Sequence, residues 1–353
     1  MNNKMKMMAM LLIATLVMGA LFISGCTKPT GEREIVSEQN NIETPVEKEI
    51  VDVNLMIGFI PNVGYAPFYV AATNGYYDEE GLDVSFQYAP EGDIGVVKQL
   101  GANTVDFGYG GDHAVIIGRT QDVPIVSIQR IIQKNLFGIY SKETFGTDEP
   151  DDLVGKKIAI SAPGSTPATV TEIILKKSAI NTTQVEFLHV GGAVISTHLA
   201  GESDVFSTYL PLKVIAEGIA GEKMNEISGS EYTTIGRTYV ITTERMINEH
   251  PDIVRKFVRA TQKGLEYSVE HPEEAVDAFI KFNPDAREKK QLHLSIWNAM
   301  VERGFDKDTN GNPIFLLPSE DNWAEKQDQM FDIGIIDKKT PIEEMYTDEF
   351  ISN

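Results

Sequence analysis

Three observations predict an α/β fold in two lobes. The stretch from Ile57 to Phe86, IGFIPNVGYAPFYVAATNGYYDEEGLDVSF, reads as strand, irregular turn, short helix, glycine stop and second strand. A strand–loop–helix order restarts at Lys157, after a polar interval from Glu143 to Asp152. The chain has 353 residues, 42% of them hydrophobic, which is enough to bury a sizeable core in each lobe.

In the opening stretch, Met56–Ile60 is an apolar run punctuated by Pro61, Asn62 and Gly64, and Pro67 suits the first turn of a helix. Gly75 is placed to end that helix, and Asp78–Gly81 to turn the chain into Leu82, Val84 and Phe86, which alternate as in a half-buried strand. A loop between a strand's carboxyl end and a helix amino terminus is where open α/β folds place ligands. Here it carries Asn62, Tyr65, Phe68 and Tyr69. One of Phe68 and Tyr69 is expected in the core, whereas Tyr65, between Gly64 and Ala66 ahead of the helix, is placed to face a ligand.

Further along, a helix is expected over Asp93–Leu100, a strand over Val105–Tyr109 and a helix over Ala114–Arg119. Gly110–Gly111–Asp112–His113 joins the last two, either as a second ligand loop or as a tight turn capped by Asp112. Extended runs follow at Pro124–Ile131 and Leu136–Ser141. In the second series, strand Lys157–Ser161 leads through Ala162–Thr166 into helix Pro167–Lys177. Ser165 or Thr166 either caps that helix or offers a site to a polar or anionic group. Strand Val185–Val190, a helix through Leu199, strand Asp204–Tyr209 and strand Gly236–Thr243 come next, with Tyr209 again at a strand's carboxyl end. The chain closes in helices: one carrying Ile253, Phe257 and Leu265 that ends at His271–Pro272, one over Ala275–Ile280, and two near Arg287–Val301 and Ser319–Phe331.

Composition narrows the function classes. The net charge is −21, from 52 acidic and 31 basic residues, which argues against nucleic-acid binding. Lys4 and Lys6 precede an apolar run from Met7 to Ile23, and Ser24–Gly25–Cys26 follows, the order of an export signal. The run is shorter than the ~20 residues of a membrane span. LFISGC resembles a prokaryotic lipoprotein box, which implies lipidation at Cys26 after removal of residues 1–25, and a polar tether through residue 50. Cys26 is the sole cysteine, so no intramolecular disulfide is possible. Asp306, Asp308, Asn310 and Gly311 match the front half of a calcium loop, but Leu317 stands at its twelfth position, so a hydrophilic turn is expected. No HExxH, CxxC, GxSxG or phosphate-loop pattern occurs.

PNVGYAPFYVAATNGYYDEEGLDV resembles the opening of the substrate-binding proteins of the nitrate/sulfonate/taurine and thiamine-pyrimidine transport class. DLVGKKIAISAPGST resembles that class's second-lobe strand and loop, HPDIVRKFVRATQKGLEYSVEHPEEAVD its late helix pair, and YTDEF the ending of its pyrimidine-precursor branch. The resemblance implies a type II periplasmic-binding-protein-like fold. Each lobe would be a doubly wound, mostly parallel sheet, with ligand held in the cleft between them. Lobe one would comprise residues 51–141 and 237–353 and lobe two 142–236, with the chain crossing at Phe137–Ser141 and Arg237–Thr243.

By the same resemblance the protein captures a small molecule for an ABC permease and ATPase, as a monomer anchored to the membrane by lipid. Neither a catalytic residue, a metal nor a cofactor is implied. The expected ligand is a flat heterocycle, a thiamine pyrimidine precursor or riboflavin-like, which stacking aromatics suit. Tyr65 departs from the histidine common in the pyrimidine-precursor branch. Sulfonate, taurine or nitrate is the alternative, a pyrimidine-synthase-like enzyme a second, and a surface sensor a third. The implied site comprises Asn62, Tyr65, Phe68, Asp112, His113, Ser165, Thr166 and Tyr209. In it Asp112 accepts from ring N–H groups and Ser165 and Thr166 bond polar or anionic atoms.

Overall fold

The computed structural model describes residues 50–315 and 322–351. The expected export signal, Cys26 and most of the tether lie outside the described residues, as does the start of the helix expected from Ser319.

Strand β1 (Val51–Gly58) leads through a 3-10 turn into α1 (Ala66–Thr73), then α2 (Tyr76–Glu80) and β2 (Leu82–Ala89). Asp78–Gly81, expected as a turn, is largely helical, because Gly75 and Gly81 take left-handed conformations at either end of α2. Next come α3 (Asp93–Gly101), β3 (Phe107–Gly111), α4 (Asp112–Thr120) and β4 (Ile125–Ile132). The second series is β5 (Phe137–Lys142), β6 (Lys157–Ile160), α5 (Thr166–Lys177), β7 (Glu186–His189), α6 (Val194–Leu199), β8 (Val205–Tyr209), α7 (Leu210–Ala220) and β9 (Met224–Ser228). Strand β10 (Thr238–Thr243) returns to the first sheet and feeds α8 (Glu244–Glu249), α9 (Pro251–Glu270), α10 (Pro272–Phe282), α11 (Lys290–Gly304) and α12 (Trp323–Asp332). Helix α7 and strand β9 are additions to the elements expected from the sequence. Pro211 lies in the first turn of α7, where its missing N–H costs nothing, and Gly221 ends the helix in a left-handed conformation.

Two five-stranded sheets result, ordered β2-β1-β3-β10-β4 and β7-β6-β8-β5-β9. Each is parallel except for one strand, β10 in the first and β5 in the second, which runs antiparallel to its neighbours. The strand order reverses on either side of β1 and of β6, so the switch points lie between β1 and β3 and between β6 and β8. The first sheet is covered on one face by α1, α9, α10 and α11, through Phe68, Tyr69, Phe257 and Trp297, all fully buried.

The run Phe137–Ser141, expected to cross between lobes, bonds to β8 and β9 and is a strand of the second sheet. The chain passes between sheets just before it, at residues 133–136, and again at residues 229–237. Asn135 ties the two passages together: its amide donates to the Thr233 carbonyl at 3.2 Å and its oxygen accepts from Phe137 N at 2.8 Å. Beside it Gly236 holds φ of +112°, and a Cβ there would lie 2.7 Å from Asn135 Oδ1. Gly236→Ala is therefore expected to lower stability by about 1–3 kcal/mol in urea unfolding. A midpoint equal to the parent's would show that the passage tolerates a side chain.

A candidate ligand-binding cleft

The carboxyl ends of β1 and β3, at one switch point, carry the loop that the sequence singles out. Asn62 shapes that loop, its Oδ1 accepting from Gly64 N at 2.9 Å and its amide donating to the Ile60 carbonyl at 3.1 Å. Both polar ends are thus engaged within the turn. Tyr65 follows, 7% exposed, with its hydroxyl donating to the Gly58 carbonyl at 3.1 Å and its ring edge-on to Tyr109 at 5.5 Å. Phe68 is fully buried, edge-on to the same Tyr109 at 5.1 Å. It belongs to the core and not to a ligand surface, because its place on α1 points it at the sheet. Tyr69 is buried too, its hydroxyl paired with that of Tyr88 at 2.8 Å.

The second sheet contributes from its own switch point. Tyr209 ends β8, half-buried, with its ring 5.0 Å from that of Phe137. Burial, then the neighbouring Tyr109, Tyr65 and Asp93, hold the Tyr209 hydroxyl well above the usual tyrosine range. Burial and Tyr109 do the same for Tyr65. These shared influences bring tyrosines from both sheets into one constellation. Ser165 occupies the N-cap position of α5, but its hydroxyl donates to the Ala162 carbonyl at 2.7 Å and accepts from Ser161 Oγ at 3.0 Å. Thr166 meets His113 across the two sheets, Oγ1 lying 3.2 Å from either ring nitrogen, with both residues buried.

Asp112 is the clearest correction. It is fully buried, its Oδ1 accepting from His113 N and Gly236 N, each at 2.9 Å, and its Oδ2 paired with Lys326 Nζ at 2.9 Å. Lys326 is equally buried and lies over the Trp323 ring at 5.0 Å. Committed to these partners, Asp112 positions the loop and is not available to accept from a ligand.

Three residues to which the sequence assigned no ligand role stand near the carboxyl ends of β1 and β3. Tyr109 connects Tyr65, Phe68 and, through its hydroxyl, Thr238 at 2.8 Å. Asp93 opens α3, and Phe59 stands 37% exposed at the end of β1 with φ of +114°. Gly92 before Asp93 and the strand end before Phe59 were the available signals. Both were spent on secondary structure. A groove lined by Asn74, Glu274, Asp277, Lys281, Arg287 and Lys290 lies among the outer helices and contains none of these residues.

Removing one member of a buried ion pair leaves the other charge uncompensated. Lys326→Met is expected to cost about 3–5 kcal/mol in urea unfolding. A loss below about 1 kcal/mol would mean that Asp112 does not need its partner.

This geometry has relatives. The riboflavin-binding protein RibY of Chloroflexus aurantiacus is 23% identical over 348 residues, spanning 94% of this chain and 95% of that protein. The formylaminopyrimidine-binding protein of Halalkalibacterium halodurans is 26% identical, spanning 89% and 91%. A 4-amino-5-hydroxymethyl-2-methylpyrimidine phosphate synthase of Legionella pneumophila is 23% identical, spanning 85% and 92%. In fold, the periplasmic aliphatic sulphonate binding protein SsuA of Escherichia coli superposes with a TM-score of 0.67 at 13% identity, covering 83% of this chain and 91% of that one. Residues 62–275, from the asparagine of the first loop to the start of α10, match the family model described as NMT1/THI5 like, and the chain belongs to that family.

Proposed function

We propose that this chain is an exported, lipid-anchored solute-binding protein that delivers a flat aromatic heterocycle, of pyrimidine or flavin type, to an ABC permease and ATPase. The observation that carries this reading is the grouping of Tyr65 from the turn after β1, Tyr109 within β3 and Tyr209 at the end of β8: the first two rings are in contact at 5.5 Å, and the Asp93 carboxylate acts on all three. Rings of this kind hold a planar ligand by stacking and edge contact, and a few polar groups orient it. The printed names of two relatives, one binding riboflavin and one formylaminopyrimidine, support the same ligand class. The parts built on the first and second sheets act as lobes in this proposal, meeting at His113 and Thr166, and closing about the paired passages near Asn135 and Gly236.

The sulfonate alternative draws on the shared fold of the sulphonate-binding protein, and a fold hosts many ligands. Against it, the hydroxyls of Ser165 and Thr166 are already engaged within the protein. The synthase reading draws on the Legionella relative. Against it, Cys26 is the sole cysteine of the sequence, so no cluster of thiolates is available to hold a metal for such a reaction.

Ligand that binds only the folded state raises the melting temperature. A soluble form beginning at Ile50 is expected to melt higher with riboflavin or formylaminopyrimidine than with taurine, an alkanesulfonate or nitrate. Tyr209→Ala should weaken binding of the stabilising heterocycle by about 1 kcal/mol or more, roughly fivefold. A shift with the anions alone would overturn the heterocycle reading, and steady conversion of a bound compound into product would overturn the assignment as a binding protein.

A further inference from the structure

Asp93 sits where β1 and β3 end, in a recess that glycines leave open. A Cβ on Gly58 would lie 2.3 Å from its Oδ1, one on Gly111 3.0 Å from its Oδ2, and one on Gly110 3.4 Å from its own Cβ. Any larger residue at these strand ends would occupy space that the carboxylate uses. Within the recess the two oxygens differ. Oδ2 accepts from Gly111 N at 3.0 Å and stands 3.9 Å from His113 Nδ1. Oδ1 has no hydrogen-bond partner among the described residues, and the side chain remains 21% exposed.

The carboxylate is also central to the constellation, for its proximity helps to raise the pKa of Tyr65, of Tyr109 and of Tyr209 from the opposite sheet. Burial pushes its own pKa up, while His113 and the Gly111 N–H act in the other direction. An acceptor held so firmly on one oxygen and left open on the other is arranged to meet a donor from outside the protein. A carboxylate accepts at several lone-pair positions and, when ionised, offers no proton of its own. It therefore favours a ligand edge bearing N–H groups, and a ligand of negative charge is repelled.

Resting on the heterocycle reading above, we infer that Asp93 Oδ1 accepts from the N–H edge of the ligand, the amino group of an aminopyrimidine or the imide N–H of a flavin, and that it excludes sulfonates and nitrate. Asp93 is thus the specificity-determining residue, in the role that the sequence had assigned to Asp112. A binding site built to pair with a donor rejects analogues without it, because its own polar group is then left buried and unpaired.

The test pairs ligand chemistry with substitution in the full chain, purified in detergent. Calorimetric titration would compare riboflavin with N3-methylriboflavin, and formylaminopyrimidine with its analogue lacking the ring amino group. Ethanesulfonate, which bears no N–H donor, serves as the anion. The parent is expected to prefer the donor-bearing member of at least one pair by about tenfold or more. Asp93→Asn, which can turn an amide N–H towards the ligand, should abolish that preference and raise the affinity for ethanesulfonate. Gly58→Ala, whose Cβ would press on Oδ1, should reduce the preference while leaving Asp93 in place, and melting curves would establish that each variant folds. If the parent binds a heterocycle without donor preference, or Asp93→Asn keeps the preference, the role of Asp93 is overturned and the heterocycle reading stands. If the parent binds none of the four heterocycles, the heterocycle reading falls and this assignment with it.

Discussion

The buried pair between Asp112 and Lys326 is the constraint on which the cleft depends. Neither side chain reaches solvent, and a charge in that position is tolerable only with its partner in place. Asp112 distributes the constraint to three parts of the chain: Oδ1 holds the backbone of His113 and of Gly236, and Oδ2 holds Lys326 on α12. One carboxylate thus fixes the amino end of α4, the second passage between the sheets and a helix far along the sequence. His113 follows it directly, so the side chain that meets Thr166 across the sheets is aimed by its neighbour's ion pair.

Around this anchor the two sheets are joined by more than the chain's two passages. Helix α11 packs against α7, and Arg303 makes a two-point ion pair with Glu226 on β9, which Lys213 also faces at 3.4 Å. The pair lowers the Glu226 pKa against the opposing effect of burial. The amides of Gln133 and Lys134 both donate to the Gly304 carbonyl, so the end of α11 also fastens the first passage. Helices that follow the first sheet in the chain therefore bridge to the second. His113 and Thr166, which follow β3 and β6, stay in contact across the two sheets.

The division of labour among the carboxylates follows from burial. Asp112 and Asp93 lie near one another, each at the start of a helix, Asp112 after β3 and Asp93 after β2. Asp112 has no exposure and a cationic partner, so it serves the fold. Asp93 retains exposure, backbone support on one oxygen and an open second oxygen, the arrangement of a group that serves a ligand. A shared fold with a sulphonate-binding protein does not decide between ligands, because that choice rests on such side chains and not on strand order.

The sequence by itself determined the order of elements around the cleft, because alternating apolar residues, helix-starting prolines and glycine stops act locally. Lys157–Lys177, and Ile57–Phe86 apart from the helical Tyr76–Glu80, could be read residue by residue for that reason. It also carried the family resemblance, since PNVGYAPFYVA and its companions are contiguous. Tertiary structure decided which oxygen, ring or hydroxyl is free. Asp112 and Asp93 look alike in sequence, each near glycines at a helix start, and only a lysine 214 positions away from Asp112 separates their roles. Phe68, expected at the site, likewise falls in the core, because sheet order sets which face of α1 is covered. Pairings between distant residues leave no local periodicity to read, and burial is a property of the packed chain as a whole.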